Sequence, residues 1–320
     1  MSKMRIENKM RSRFGVLLMA LLAPLGLRAQ PAQLTGVVLE AGSNRPIPFA
    51  TVEILKRQAG VQATEAGAFV LDLPTALGTT DSVRVASLGF VPRVLAVPAS
   101  PCRLELRALP VSLPEVLVRG KLAPLVRLGS DGNAERFGFG SGKIGAIGSS
   151  GWQIARQFSG GPAGYSQAVR FYVKPNSQCG KPASRAPFRV RLYAADGPNG
   201  LPGTDLLTTS LLTAATKMGW HEVDVSKFQL RTPVGGFFVA MEWLYTSAEF
   251  GCEHKVTMMA TNEKKVGYSY GQLLGGYLDD SPKQTWDLMA GRPWRLFTRT
   301  VPQFGNANQN AAIQAVVQPD

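Results

Sequence analysis

The chain has 320 residues, of which 45% are hydrophobic and 18% charged, with a formal net charge of +13. That length exceeds what one hydrophobic core usually organises, so two folded domains of ordinary globular composition are expected. The positive balance favours acidic partners such as anionic glycans or lipid headgroups, although net charge speaks to encounter and solubility rather than specificity.

The first thirty residues belong to neither domain. Lys3, Arg5, Lys9, Arg11 and Arg13 precede the apolar run from Phe14 to Leu27, and Ala29 offers a small residue at a cleavage point. Residues 1–29 therefore read as a secretory signal peptide. A membrane anchor would need roughly 20 apolar residues, whereas this run is shorter and is interrupted by Pro24 and Gly26. Cleavage removes six basic residues and Glu7, lowering the charge from +13 to +8. No later stretch reads as a transmembrane segment, and export makes nucleic acid an unsuitable partner. The expected location is the periplasm, the outer-membrane surface or the extracellular space.

Residues 30–108 show short alternating runs separated by turn residues, with almost no helical periodicity. Ala50, Val52 and Ile54 alternate with Thr51 and Glu53, and Phe69, Leu71 and Leu73 alternate with Val70 and Asp72. Period two places each set on one face of a strand. Strands are predicted at Leu34 to Leu39, Ala50 to Leu55, Phe69 to Leu73, Val83 to Ala86, Arg93 to Val97 and Leu104 to Leu106. This density implies a small sandwich or barrel.

The runs Leu34-Thr-Gly-Val-Val-Leu39, Arg45-Pro-Ile-Pro-Phe-Ala-Thr-Val-Glu-Ile54, Thr64-Glu-Ala-Gly-Ala-Phe69 and Ala86-Ser-Leu-Gly-Phe90 resemble, in order, the carboxypeptidase regulatory-like domain. The resemblance covers about a quarter of the chain and implies a transthyretin-like Greek-key β-sandwich. Such modules stand beside metallocarboxypeptidase catalytic domains and at the front of bacterial outer-membrane receptors and surface proteins. Residues 109–130 contain Pro110, Pro114 and Pro124 and read as a linker with one short strand, Pro114 to Arg119, similar to the strand that ends such modules.

Residues 131–301 read as a second β-sandwich of jelly-roll type, so the whole chain is predicted to be all-β. Its clearest strands are Ala168 to Lys174, Pro187 to Ala194, Trp220 to Val225, Gly236 to Tyr245 and Val256 to Ala260. The Gly-rich stretch from Gly138 to Gly164 reads as loop and turn. The order of Pro187 to Tyr193, Gly200 to Leu207, Gly219 to Ser226 and Gly236 to Trp243 resembles a region of unknown activity that follows regulatory-like domains in Bacteroidetes-type bacteria. Residues 302–320, polar and rich in Asn and Gln, read as a disordered tail.

No catalytic pattern is complete. A zinc carboxypeptidase needs a His-x-x-Glu pair and a distant His, but the only histidines are His221, with Asp224 at the third place, and His254, with Thr257 there. Gly140 to Gly145 spells a dinucleotide fingerprint without the strand-to-helix setting that motif requires. A phosphate-binding loop fails at Phe137 and Ile144, and no Gly-x-Ser-x-Gly elbow occurs. Cys252-Glu253-His254 offers two metal ligands where a structural zinc site needs four. The loop Asp196 to Asp205 carries oxygen-bearing side chains but lacks the closely spaced carboxylates of a calcium loop and reads as a turn. No metal, cofactor or catalytic residue is assigned.

Two features remain as candidate sites. On the predicted strands around Phe171 and Phe188, Arg170, Tyr172, Lys174, Arg189, Arg191 and Tyr193 take the parity opposite the apolar residues. If these strands pair, they form a basic, aromatic surface suited to sugar rings and acidic groups; otherwise they are a solvated sheet face. Among the three cysteines, Cys179 and Cys252 follow predicted strands of the second domain and are the expected disulfide, leaving Cys102 of the first domain free. The leading reading is a non-catalytic envelope or secreted protein. Its regulatory-like module would be a structural or docking unit, and its second sandwich would bind a glycan or an envelope protein. A glycan or peptide hydrolase is the alternative, with Asp224, Glu242, Glu249 and Glu253 as available carboxylates, and a purely structural surface subunit is a third.

Overall fold

The computed structural model describes residues 32–110, 123–144, 147–148, 151–258, 261–279, 281–298 and 307–320. The leader expected over residues 1–29 and the strand expected at Pro114 to Arg119 lie outside them. Strand accounts for 51% of the described residues and helix for 6%, and the fold is an all-β sandwich architecture.

The first module consists of β1 (Ala32–Glu40), β2 (Thr51–Ile54), β3 (Ala59–Gln62), β4 (Ala68–Leu73), β5 (Ser82–Ala86), β6 (Arg93–Ala96) and β7 (Cys102–Leu106). One sheet has the order β4-β1-β7, with β1 parallel to β7, and the other is the antiparallel β3-β2-β5-β6. Leu34, Val38, Phe69, Leu71 and Leu104 from the first sheet meet Val52, Ile54, Val83 and Val85 from the second in a common buried core. Each large aliphatic or aromatic side chain enclosed this way contributes about 1.5–3 kcal/mol. The alternation has a second consequence. With Val52, Ile54, Val83 and Val85 turned inward, Thr51, Glu53, Arg84 and Ala86 stand on the outer face of β2 and β5.

The second module begins with β8 (Val126–Leu128), β9 (Phe137–Ile144), β10 (Ile147–Gly148), β11 (Gln153–Phe158), β12 (Gly164–Lys174), β13 (Phe188–Ala194), β14 (Leu211–Thr213), β15 (Gly219–Asp224) and β16 (Arg231–Thr232). It continues through β17 (Phe237–Trp243), β18 (Gly251–Thr257), β19 (Lys264–Asp279), β20 (Thr285–Leu288), β21 (Arg295–Leu296), β22 (Asn308–Ala311) and β23 (Ile313–Pro319). A ten-stranded sheet follows the path β10-β9-β19-β12-β23-β8, with β15, β16, β18 and β22 attached, and a six-stranded sheet has the order β14-β13-β17-β11-β20-β21. Between them lies the larger core, in which Phe171 and Val173 of β12 face Phe188 and Val190 of β13 and Val239, Met241 and Trp243 of β17. Phe171 and Phe188 meet edge to face at 5.3 Å, a favoured aromatic geometry.

Three expectations are corrected here. The Gly-rich stretch is not loop and turn throughout: Phe137–Ile144 and Gln153–Phe158 are strands, the first paired with β19. Its glycines serve close approach, since a Cβ on Gly142 would lie 2.4 Å from the Tyr268 carbonyl oxygen. Residues 307–320 are not a disordered tail but β22 and β23, with β23 running antiparallel to β12. Ala311, Ile313, Ala315 and Val317 enter the core, while Gln314 and Gln318 are satisfied by Ser130, Asp131 and Ala123. Finally, the interval read as linker contributes β8, which pairs with β23, so the second module starts before residue 131.

Candidate functional site

The two predicted surface strands do not pair. β12 lies in the ten-stranded sheet and β13 in the six-stranded sheet, so the six candidate residues divide into two groups on opposite sides of the second module. The parity of each set is as expected, but parity along one strand carries no information about which sheet it joins.

The β12 group is largely tied to its own surroundings. Arg170 donates to Gln314 at 2.6 Å, pairs with Glu222 at 3.2 Å and stacks over Trp220 at 5.0 Å. The Tyr172 hydroxyl donates to Glu135 at 2.7 Å, and that hydrogen bond raises its pKa. Lys174 donates to the carbonyls of Glu135 and Phe137, while burial lowers its pKa. The group therefore anchors the 130–137 segment across the sheet.

The β13 group sits elsewhere, against the first module. Arg189 and Tyr193 are only 3% and 4% exposed, although they point away from the hydrophobic core of their own sandwich. The outer face of β2 and β5 covers that side of the six-stranded sheet, and between the two modules lies a cleft of about 810 Å³. Phe49, Thr51, Glu53, Arg84 and Phe90 line it from the first module; Gln153, Arg189, Arg191, Tyr193, Thr204 and Asp205, together with the loop from Ala290 to Trp294, line it from the second.

Hydrogen bonds join the modules directly. Gln62 Nε2 donates to Glu242 Oε1 at 3.2 Å, and the Gly291 N–H donates to Glu53 Oε1 at 2.9 Å. Glu53 also receives Arg84 at 2.7 Å from the opposite register position of β5, the cross-strand arrangement that stabilises opposite charges. The Arg189 guanidinium lies 5.9 Å from the Phe49 ring across the boundary.

Behind this wall is a buried charge cluster. Arg189, Glu242 and Gln153 occupy matching positions on β13, β17 and β11. Glu242 Oε2 accepts from Arg191 at 3.1 Å and from Arg189 at 3.4 Å, and Arg189 also donates to Ser210 at 3.1 Å. Arg191 grips both Asp205 oxygens, at 2.8 and 2.9 Å, a bidentate geometry that suits guanidinium and carboxylate. Burial opposes the Arg191 charge, but the Asp205 and Glu242 carboxylates and the hydrogen bond to Asp205 more than offset it, and the pKa is raised. Burial likewise raises the Asp205 carboxyl, with Arg191 pulling the other way. The Tyr193 hydroxyl, pushed up chiefly by burial, stays neutral and donates to Gln153 at 2.6 Å. Its ring meets Trp294 edge to face at 5.5 Å. Sequence parity singled out Arg189, Arg191 and Tyr193; Glu242 joins them by pairing of β17 with β13, Arg292 and Trp294 by the loop after β20, and Glu53 and Arg84 through the docking of the modules.

The remaining candidates are dispersed. Asp224 lies on β15 of the ten-stranded sheet, whereas Glu242 is sealed within the six-stranded one. The Asp196 to Asp205 loop is closed by its own contacts, with Asp196 accepting from the Thr204 backbone and hydroxyl, each at 2.7 Å. Among the described residues, no group of three or more His, Cys, Asp and Glu side chains is arranged to hold a metal ion, and no helix is long and apolar enough to cross a membrane. Cys179 and Cys252 are joined in a disulfide with Cα atoms 5.3 Å apart, and Cys102 is a buried free thiol. Cys252 is inside β18 rather than in a loop directly after β17. The bridge therefore ties the turn after β12 to the β18 edge of the same sheet.

No family model matches the chain, and no curated protein matches it. Among solved structures, it is similar to the clostridial cysteine protease Cwp84 after propeptide cleavage, with a TM-score of 0.34 and 14% identity over 56% of this chain. The match spans 41% of the length of that protein. A likeness of this size assigns neither fold nor chemistry.

Proposed function

We propose that this chain is a non-catalytic, exported envelope or secreted binding protein, whose ligand site is the cleft between its two modules and whose ligand is a glycan. The first module, read as a carboxypeptidase regulatory-like unit, acts as the docking half of that cleft. The observation that carries this reading is the combination of an 810 Å³ concavity with a wall of prearranged arginine, carboxylate and aromatic groups. Small-molecule and cofactor sites occupy about 300–1,000 Å³. A protein partner would instead need about 800 Å² of matching surface on each side.

The ionic groups that form the wall are already committed to one another. Glu53 is held by Arg84 and Gly291, Asp205 by Arg191, and Glu242 by Gln62, Arg189 and Arg191. Such a network fixes geometry for binding without a free nucleophile and base in mutual contact. One observation favours a glycan hydrolase as the second reading: burial raises the Asp205 carboxyl, a property required of a general acid.

Binding of the protein without its first 29 residues to a glycan array, followed by assay of the bound glycans for new reducing ends, tests both readings. Retention without cleavage is expected. Turnover abolished by Asp205→Asn would establish the hydrolase instead, and failure to retain any glycan would remove the cleft reading.

A further inference from the structure

The charges lining the cleft do not cancel. Arg84, Arg189, Arg191 and Arg292 line it with Glu53 and Asp205, Glu242 lies buried behind Arg189 and Arg191, and each of these three carboxylates is matched to an arginine other than Arg292. Arg292 is exposed on the rim loop, and its guanidinium has no ion-pair or hydrogen-bond partner among the described residues. The backbone that carries it is nevertheless held. The Arg292 backbone N–H donates to Met289 at 2.9 Å, and the neighbouring Gly291 is tied to Glu53. Two residues further on, Trp294 is half-buried against Tyr193, and its indole N–H has no partner among the described residues.

We infer that the cleft takes an acidic sugar chain bearing carboxylates, with Arg292 as the anchor for a uronate group and Trp294 as the platform beneath an adjoining ring. This deepens the cleft-binding reading and rests on it. A guanidinium offers two parallel N–H donors that match a carboxylate, and Arg292 is the cleft arginine whose fork is open. An indole offers a broad apolar face and one N–H donor, complementary to a sugar ring and its hydroxyls. The remaining sugar hydroxyls can donate to Glu53 and Asp205, because an ionised carboxylate has about four lone-pair sites. Glu53 accepts hydrogen bonds from Arg84 and Gly291, so part of its capacity remains. A uronate beside Arg292 would gain a paired, two-bond contact with the guanidinium that a neutral glycan cannot make.

The experiment compares tetragalacturonate with its fully methyl-esterified form by titration calorimetry, using the wild type, Arg292→Ala, Arg292→Lys and Trp294→Ala. Circular dichroism and thermal melts verify folding; Arg292 is exposed, so its variants are expected to fold. The acid should bind the wild type at least tenfold more tightly than the ester. That preference should disappear in Arg292→Ala and be reduced in Arg292→Lys, while Trp294→Ala should weaken acid and ester together. Equal binding of acid and ester, or an unchanged preference in Arg292→Ala, would overturn the acidic class. If neither oligomer binds, the acidic class also fails, and the neutral members of the glycan array decide the parent reading. Neutral glycans lost with Trp294→Ala would preserve the cleft as a site, and no retained glycan would remove both.

Discussion

Gln62, at the end of β3, donates its side-chain amide to Glu242 in the middle of the second module at 3.2 Å, although 180 positions separate them in the chain. The other Glu242 oxygen receives Arg189 and Arg191, and the carboxylate side chain is 2% exposed. Removing one member of such a cluster leaves buried charge without compensation. Glu242→Ala should cost about 3–5 kcal/mol in urea denaturation. Glu40→Ala, which breaks a pair with the largely exposed Arg45, should have little measurable effect. Similar losses at both positions would show that the cluster does not bear on stability as described.

The C-terminal strands should be indispensable to the second module. Ile313 is fully buried between the sheets, so Ile313→Ala is expected to cost about 2–5 kcal/mol. Truncation after residue 306 would remove β22 and β23, expose the edges of β12 and β19, and yield protein without a cooperative melt. A truncated chain that melts like the intact one would refute this role.

The contrast between these strands and the ones read correctly shows what a sequence displays. Val52 and Ile54, or Phe188, Val190 and Leu192, stand out because large apolar side chains alternate with polar ones facing away from the core. In β22 and β23 inward-facing apolar residues are also present, but Ala311 and Ala315 are small, and Asn and Gln fill several of the remaining positions. Composition therefore suggested disorder, while the backbone ladder and the partners of Gln314 and Gln318 come from segments more than a hundred residues away. The Gly-rich β9 was obscured for a related reason, since its glycines report close packing against β19 rather than chain reversal. At the candidate site, period two exposed the shared face of Arg189, Arg191 and Tyr193. That this face is covered by another module follows from docking, which leaves no periodic mark.

Acid should weaken the fold in part through His221. Burial lowers its pKa below the ordinary histidine value of about 6.5, and its Nε2 lies 2.7 Å from the Thr213 hydroxyl. The unfolded chain therefore binds more protons than the folded one between the depressed folded value and about 6.5. Stability is retained above that window and falls as the pH drops through it. His221→Gln should flatten the difference between urea midpoints measured at pH 5 and pH 7.5; an unaltered difference would place the acid sensitivity elsewhere.

Reduction of Cys179–Cys252 should destabilise the second module without dissolving the first. The bridge closes a span of 73 residues, for which the chain-entropy model gives about 4–5 kcal/mol before native strain. The paired Cys179→Ser and Cys252→Ser variant should show a comparable loss in denaturant, and dithiothreitol should have no further effect on it. Peptide mapping under non-reducing conditions should recover this linkage with Cys102 unmodified. A Cys102 linkage would contradict the arrangement.

The fit of the two modules should depend on Gly291. Its φ of +80° lies in the left-handed region, and a Cβ there would fall 2.3 Å from the Ala59 carbonyl carbon, a distance at which backbone must move. Gly60 answers it from the other side, since a Cβ at that position would lie 2.7 Å from the Ala290 carbonyl carbon. The closeness also brings the Gly291 N–H to Glu53. Gly291→Ala should therefore break this hydrogen bond and separate the walls of the cleft. Gly160→Ala supplies the control: its φ of +79° imposes a similar backbone penalty of about 1–2 kcal/mol, but nothing lies within 4 Å of the added methyl. Small-angle scattering should show a larger radius of gyration for Gly291→Ala alone, and limited proteolysis should cut faster within residues 109–130. Equal compactness and equal proteolysis in the two variants would mean that the Gly291 contact does not hold the modules together.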